Sequence, residues 1–473
     1  MEVVFSAVIS EIANRFISFL VDKCSKRIAP TMDDQMQDNL HRVLLRVRVI
    51  VEEAEGRIIT NQAMVYQLNI LRKEMYRGYY TMDNFRSQAN EEDKVEDHDV
   101  SQSFVLSKFN PAKRLFFTGH THRVNEVQQV IDNINSIIVN MGEFITFLKD
   151  CPPLHRQPYS MHLIVDNYMF GRQMEFDRIM NFLMTVEPPS SQGVGILPIV
   201  GPPTAGKSTL VAHVSKDERV RNYFTQILFV TEDDLGKGLT TEGNERLLAI
   251  IELTENIDEA ALRRYLASAT GHASVIKIII TSRSRKIMNF GTTQALMLNF
   301  LPLEAYWYFF KVRTFGSADP NYEPKLESIA MEISRDLYGS FSGSFISGSI
   351  ISGLLRENIN AQHWNMVHTF LKLLIKKTST SLTAHDRAKE NKPVLRRRAN
   401  NDEFGIYDFY QCSADDTIPK ITVSDVAFGN VKCEGRFEAL AWMSRIPPYK
   451  NYIYVCEVQK TQPSKKRQNV KPH

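Results

Sequence analysis

Gly201-Pro-Pro-Thr-Ala-Gly206-Lys207-Ser208-Thr209 is the stretch that decides the fold. These residues match the phosphate-loop pattern G-x(4)-G-K-[ST] at every position. The apolar run Ile196–Val200 precedes them, and a helix is predicted from Lys207 onward. In such a loop, backbone N–H groups converge on phosphate oxygens, Lys207 neutralises charge on the β/γ-phosphates and Ser208 is a ligand for Mg²⁺. The alternative is an ordinary glycine turn between a strand and a helix. The complete pattern in the correct context disfavours that alternative.

The segments after this loop alternate between short apolar runs and helix-like stretches. Alternation of this kind predicts a parallel sheet covered by helices. Further strands are predicted at residues 226–230, 247–251, 275–280 and 296–300. Residues 303–375 return to helical periodicity. Residues 402–458 are rich in β-branched and aromatic residues, which predicts a small module that contains strands.

The first 150 residues carry apolar stripes at helical spacing. One stripe consists of Val4, Val8, Ile12, Phe16 and Leu20, and others lie within 40–51, 64–85 and 124–148. Because the connections are short, these helices are predicted to pack antiparallel in a small bundle. The acidic stretch 90–103 is predicted to be a solvated loop, and the proline-containing stretch 151–159 a linker.

Charge and cysteine content exclude several classes of protein. The formal net charge is only +3, so a broad nucleic-acid-binding surface is not expected. Five cysteines without a CxxC pair argue against structural zinc and a disulfide framework, and they fit a reducing compartment. No apolar run reaches the roughly 18 residues that a transmembrane helix needs. We therefore expect a cytoplasmic protein without a transmembrane segment, and we expect its basic tail 464–473 to be disordered.

An acidic residue follows the third predicted strand. Glu252 stands where a P-loop ATPase needs a carboxylate near Mg²⁺, so Glu252 and Ser208 are the candidate metal residues. Leu253 occupies the place of a second carboxylate that would orient the attacking water. Glu255 and Asp258 are nearby substitutes. The alternative for Glu252 is that it is an acid at a helix N-terminus.

A basic residue follows the fourth predicted strand, through Thr281-Ser282-Arg283. An arginine in this position can sense the γ-phosphate of a bound nucleotide. Arg285 is a competing candidate, and a plain surface role is the alternative for both arginines.

Together, these motifs resemble those of the NB-ARC family of plant nucleotide-binding immune receptors, over roughly residues 1–375. Phe170-Gly171-Arg172-Gln173-Met174-Glu175 resembles the family's hydrophobic-G-R-x-x-E motif, so the resemblance places Phe170 and Arg172 at an adenine pocket. Residues 278–283 resemble its I-I-[VL]-T-[ST]-R segment, which favours Arg283 over Arg285. Residues 301–310 resemble its L-x-x-L-x-x-x-x-[SA]-W-x-L-F segment.

The N-terminal helices resemble the Rx-type coiled-coil domain of the same receptors. Residues 71–76 fit the start of the acidic motif on the third helix of that domain. Tyr79 and Tyr80 stand where the family usually has Glu-Asp, and only Asp83 keeps an acid.

The chain also departs from the family pattern. Glu252-Leu253 replaces a double aspartate, and Gly339-Ser340-Phe341-Ser342 lies where the family has G-L-P-L. A winged-helix segment with M-H-D is not recognisable, and leucine-rich repeats are not found after residue 380. The resemblance therefore implies a receptor-like protein that lacks these repeats.

The predicted fold is multidomain, α and α/β. It comprises a helical Rx-type domain (1–150), a linker (151–165), a P-loop NB-ARC domain (166–302), a helical subdomain (303–378) and a C-terminal module with a basic tail (379–473). The resemblance implies a conformational switch in plant defence that binds ADP or ATP with Mg²⁺ and hydrolyses ATP weakly or not at all. Protein partners are expected at the N-terminal helices, and specific nucleic-acid binding is not. The alternative is a truncated, non-hydrolysing helper or decoy that acts through those helices. A metabolic P-loop kinase or a GTPase is disfavoured, because no N-K-x-D motif occurs.

Overall fold

The computed structural model describes residues 32–98, 111–152, 169–185, 194–238, 246–254, 256–268, 275–316, 324–380, 395–399, 402–413, 416–427 and 433–460. The chain divides into two compact units, residues 1–155 and 156–473. In the part of the chain that is described, no helix is long and apolar enough to cross a membrane.

The first unit is built from helices α1 (Met32–Glu55), α2 (Gln62–His98), α3 (Pro111–Val139) and α4 (Gly142–Asp150). Helices α1, α2 and α3 pack against one another in pairs. Their shared core contains side chains from the predicted stripes, among them Leu40, Leu44, Leu71, Met75, Ile131 and Ile134. Helical packing of these stripes is therefore confirmed. The stripe from Val4 to Leu20 lies outside the described residues.

Two predictions for this unit were wrong. Residues 90–98 continue helix α2 instead of forming a loop. Glutamate and lysine are good helix formers, so an acidic stretch does not end a helix by itself. The predicted helix over 124–148 is broken between α3 and α4, where the N–H of Met141 donates to the carbonyl of Ile138 in a tight turn. Gly142 follows, and glycine is unfavourable inside a helix.

The second unit contains the predicted parallel sheet. Its strands are β1 (Gly195–Val200), β2 (Gln226–Val230), β3 (Arg246–Glu252), β4 (Val275–Ser282) and β5 (Leu296–Met297). They lie in the order β2-β3-β4-β1-β5 and every pair is parallel. Apolar side chains pack on both faces of the sheet. All six residues of β1 are buried, as expected for a central strand covered by helices on both sides.

Strand β5 is shorter than the predicted 296–300. The N–H of Leu298 donates to the carbonyl of Val200, the last residue of β1. Beyond that point the neighbouring chain turns away at Gly201, so no strand is left for residues 299–300 to pair with. Helices α5 (Gln173–Met184), α6 (Lys207–Ser215), α7 (Glu218–Tyr223) and α8 (Glu259–Ser268) accompany the sheet.

In the described part of the chain, four helices follow the sheet: α9 (Leu303–Phe315), α10 (Pro324–Phe341), α11 (Phe345–Glu357) and α12 (Ala361–Thr380). A second sheet then consists of β6 (Leu395–Ala399), β7 (Asp402–Cys412), β8 (Gly435–Met443) and β9 (Asn451–Lys460), with the short helix α13 (Val423–Ala427) before β8. These strands are antiparallel, in the order β6-β7-β9-β8. Phe370 of α12 belongs to the core of this second sheet, together with Ile406, Ala439 and Cys456. The predicted strand-containing module is thus confirmed, and it packs on the preceding helices.

Candidate functional site

The loop after β1 has the geometry of a phosphate loop. It begins where the strand order reverses beside β1, which is the place where open parallel sheets bind ligands. Thr204 and Gly206 have positive φ angles of 60° and 91°, a conformation that turns successive N–H groups toward one concavity. A Cβ atom on Gly201 would overlap with the carbonyl oxygen of Leu298. Glycine is therefore required at that position, where β5 approaches the loop.

Lys207 begins helix α6 and closes the loop on itself. Its Nζ donates hydrogen bonds to the carbonyl oxygens of Gly201 at 2.7 Å and Pro202 at 2.8 Å. Burial lowers the pKa of the Lys207 ammonium, the charge of Arg283 lowers it further, and Glu252 opposes the shift. Lys207 is therefore partly buried near a second positive charge, that of Arg283, and an anion bound there would be stabilised.

The next residue joins the loop to β3. The hydroxyl of Ser208 donates a hydrogen bond to Oε1 of Glu252, the last residue of that strand. The alternative of Glu252 as the start of a helix was wrong, because α8 begins only at Glu259. A hydroxyl beside a carboxylate is an oxygen donor pair that suits Mg²⁺. Among the described residues, no group of three or more His, Cys, Asp or Glu side chains is placed to hold a metal. Phosphate and water oxygens would therefore have to complete the coordination of a cation here.

Neither Leu253 nor Asp258 supplies a second carboxylate to the site. Leu253 is buried in the sheet core, and its N–H donates to the carbonyl of Thr281 at 2.9 Å. The carboxylate of Asp258 accepts hydrogen bonds from the N–H groups of Ala260 and Ala261, each at 3.0 Å. Asp258 is thus committed to the start of helix α8. Glu255 lies outside the described residues.

Arg283 follows β4 and reaches the same cavity. It lines the cavity together with Lys207, Ser208 and Glu252. Arg285 instead begins a short 3₁₀ helix and does not line the cavity. The carboxyl ends of β1, β3 and β4 therefore bring together Lys207, Glu252 and Arg283, as their spacing after each predicted strand suggested.

Phe170 and Arg172 have different surroundings. Phe170 lines the cavity, stacks on Tyr308 with ring centroids 6.0 Å apart, and contacts Phe309 at a tilt of 40° with centroids 5.8 Å apart. Arg172 is buried, and its guanidinium donates to the carbonyl of Ala205 at 3.2 Å and to the carbonyl of Asn299. Burial lowers the pKa of Arg172, and the neighbouring Glu175 opposes this shift. Its contacts hold the phosphate loop against the end of β5, behind the cavity rather than in its lining.

The cavity has a volume of about 960 Å³ and extends beyond the loop. Gly206 and Thr209 complete its phosphate-loop wall. Helices α9 and α11 add Phe309, Arg313, Phe345 and Arg356. Strands β8 and β9 add Trp442 and Tyr452, and the turn between them adds Arg445 and Lys450. The volume falls within the range of small-molecule sites in proteins. Sequence reasoning missed the contributions of α11 and the second sheet, because no local motif marks them.

The chain is similar in sequence to curated plant proteins. It is 22% identical over 392 residues to "Disease resistance protein RGA2" of Solanum bulbocastanum, covering 75% of this chain and 38% of that protein. It is 22% identical over 378 residues to "Putative disease resistance RPP13-like protein 1" of Arabidopsis thaliana, covering 71% of this chain and 34% of that protein. The chain is homologous to plant disease resistance proteins. It spans little more than a third of the length of these homologues. No family model matches it.

Two solved structures are similar over somewhat less than half of the chain. "Structure of Drosophila ORC bound to DNA" has a TM-score of 0.27 and 11% identity, covering 45% of this chain and 69% of that one. A variant of RuvB from Thermotoga maritima has a TM-score of 0.28 and 13% identity, covering 46% of this chain and 74% of that one. The fold assignment for this resistance-protein homologue rests on its own parallel sheet and phosphate loop.

Proposed function

We propose that this resistance-protein homologue binds ADP or ATP with Mg²⁺ and acts as a conformational switch in plant defence. One observation carries the proposal. Lys207, the Ser208–Glu252 pair and Arg283 meet at one cavity, whose apolar wall contains Phe170 and Phe309. Cationic and oxygen ligands beside an aromatic wall suit a molecule with a phosphate tail and a flat base.

Each residue of the phosphate end has a separate task. The ammonium of Lys207 exchanges its two carbonyl contacts for phosphate oxygens when a nucleotide binds. Ser208 and Glu252 would hold Mg²⁺, which supplies charge neutralisation between the phosphates. Arg283 offers a second positive charge to the terminal phosphate.

The switch follows from the construction of the cavity. Its lining combines the parallel sheet with helices α9 and α11, so a bound nucleotide contacts both. A ligand shifts an equilibrium toward the packing that it contacts better. Exchange of ADP for ATP would change the contacts at Arg283 and thereby favour a different packing of α9 and α11 against the sheet.

Hydrolysis is expected to be slow. A buried Leu253 replaces the carboxylate that would orient water, and Asp258 is engaged by the start of α8. Among the described residues at this edge of the sheet, Glu252 is the acid that lines the cavity. We therefore propose a binding switch rather than an efficient ATPase.

A second candidate function is a protein-interaction module that needs no nucleotide cycle. The first unit exposes large apolar side chains, including Val49 at 66%, Val139 at 80% and Phe147 at 56% exposure. Association with a partner or with a second copy would remove such side chains from water. Asp83, the one acid kept from the acidic motif of the Rx-type domain, is buried in this unit and therefore does not contribute to such a surface.

Calorimetric titration of the full chain with Mg·ADP and Mg·ATP separates the two functions. The switch requires binding by the wild type and at least a tenfold loss in Lys207→Ala, equivalent to about 1.4 kcal/mol. Lys286→Ala is a matched control, because this exposed lysine belongs to the same unit but does not line the cavity. Equal affinities for wild type and Lys207→Ala would eliminate the nucleotide-switch proposal and leave the interaction module.

A further inference from the structure

The turn between β8 and β9, residues 444–450, forms one side of the phosphate cavity. Arg445 and Lys450 of this turn line the cavity, as do Trp442 before it and Tyr452 after it. These residues are more than 150 positions away from the phosphate loop in sequence, so only the folded chain brings them together.

The turn is held in place from two directions. The second sheet, which carries the turn, is attached to the preceding helices. Its core includes Phe370 of α12, and the hydroxyl of Ser424 in α13 donates a hydrogen bond to Glu357 at the end of α11. At its tip, the Nζ of Lys216 lies 4.2 Å from the ring centroid of Tyr449. Lys216 directly follows helix α6, which begins at Lys207. The 444–450 turn is therefore tied to the helix that carries the phosphate loop.

A β-bulge in the pairing of β8 with β9 places two aromatic side chains, Trp442 and Tyr452, in the cavity lining. Leu440 pairs with Ile453 and Trp442 pairs with Tyr452, so Ala441 is an extra residue in β8. A bulge of this kind redirects the side chains that follow it. It brings Trp442 opposite Tyr452, with ring centroids 5.4 Å apart and an interplanar angle of 32°. Both rings line the cavity.

The 444–450 turn is positively charged, which favours an anionic ligand. Arg445 and Lys450 add two positive charges to a cavity that already contains Lys207 and Arg283. Among the described residues, the acids of the cavity lining are Glu252 and Glu357, and each accepts a hydrogen bond from a serine hydroxyl. The cavity lining therefore has an excess of positive charge, which favours a polyphosphate.

We propose that the C-terminal sheet completes the nucleotide site through this turn. Trp442 and Tyr452 contact the bound nucleoside di- or triphosphate, and Arg445 and Lys450 attract its phosphates. The inference rests on the proposed nucleotide-binding function and assigns to the C-terminal sheet a direct part in it.

Tryptophan fluorescence of the full chain tests the contact. The chain has three tryptophans; Trp307 and Trp364 are 1% and 0% exposed, whereas Trp442 lines the cavity. Addition of Mg·ADP is expected to change the emission of the wild type. Trp442→Phe should abolish that change while calorimetry still detects binding. A full signal in Trp442→Phe would overturn the contact.

Affinity tests the charge of the turn. The double variant Arg445→Glu, Lys450→Glu should lower Mg·ADP affinity about three- to tenfold at low salt, and by less at high salt, because exposed charges are screened. The milder Arg445→Ala, Lys450→Ala pair should change affinity in the same direction. Lys420→Glu is the matched control, since this exposed lysine of the same module lies outside the cavity lining. Wild-type affinity in both double variants would overturn the role of the turn but leave the proposed function intact. Absence of nucleotide binding by the wild type would overturn both.

Discussion

Replacement of Arg172 by methionine is expected to weaken nucleotide binding, although Arg172 is not part of the cavity lining. The guanidinium holds the carbonyl of Ala205 in the phosphate loop and the carbonyl of Asn299 after β5. It also pairs with Glu175 at 3.2 Å. Methionine fills similar space but donates nothing, so both carbonyls lose their partner and the Glu175 carboxylate stays unpaired.

The magnitude follows from these contacts. Each partly buried acceptor that loses its donor costs about 1–3 kcal/mol. Relief from burying the guanidinium charge offsets part of that loss. We expect a net destabilisation of about 2–4 kcal/mol for the second unit. Because Ala205 lies within the phosphate loop, part of this cost should appear as at least a threefold loss of Mg·ADP affinity, equivalent to about 0.7 kcal/mol.

Arg178→Met is the matched control for this variant. Arg178 lies on helix α5, which begins directly after Arg172, and it donates to the carbonyls of Gln294 at 2.7 Å and Ala295 at 3.3 Å, beside β5 but away from the loop. Urea unfolding followed by tryptophan emission gives stability, and calorimetry gives affinity. Arg178→Met should lose stability while its affinity for Mg·ADP stays close to wild type. Unchanged affinity in Arg172→Met would refute the role of Arg172 in ordering the loop.

Three further predictions concern the phosphate end. Glu252→Gln should leave nucleotide affinity in the absence of metal unchanged, but it should reduce the increase in affinity caused by Mg²⁺ at least threefold, about 0.7 kcal/mol. Titration with and without EDTA measures this increase, and an unchanged increase would exclude Glu252 from the metal site. Leu253→Asp should raise the slow ATPase rate, measured as phosphate release, because it restores a carboxylate beside Glu252; an unaltered rate would show that the second acid is irrelevant here. The pKa of Lys207 is lowered from 10.5 by burial and Arg283, and phosphate binding favours the protonated amine, so Mg·ADP affinity should fall as the pH rises through that lowered pKa. Lys207→Arg should not show this fall over the same pH range, and identical pH profiles would contradict the assignment.

Sequence patterns predicted those parts of the site whose residues stand directly at or after the end of a strand. The phosphate loop follows β1, Glu252 ends β3 and Arg283 follows β4. Parallel strands end at the same edge of a sheet, so a linear pattern contains the essential geometry. The same logic predicted the strands themselves from buried apolar runs, because a central parallel strand has no exposed face that would interrupt the run.

Features that depend on distant contacts were not predictable in this way. The resemblance placed Arg172 at an adenine pocket, but its partner Asn299 lies 127 residues away, and the hydrogen bond between them buries the guanidinium behind the loop. The wall formed by Trp442 and Tyr452 depends on a one-residue bulge and on packing of the second sheet against α12. Neither feature leaves a local signal in composition or spacing. The extension of α2 to His98 was not predictable from acidity, because acidic residues occur in helices as well as in loops.

Nucleotide content of the purified full chain tests the central claim most directly. The protein is denatured, and the released small molecules are separated by chromatography and compared with adenine nucleotide standards, before and after incubation with Mg·ATP. We expect close to one equivalent of ADP or ATP per chain for the wild type and for Lys286→Ala, and a strongly reduced amount for Lys207→Ala. A wild-type protein that releases no nucleotide, and retains none after the incubation, would contradict the account.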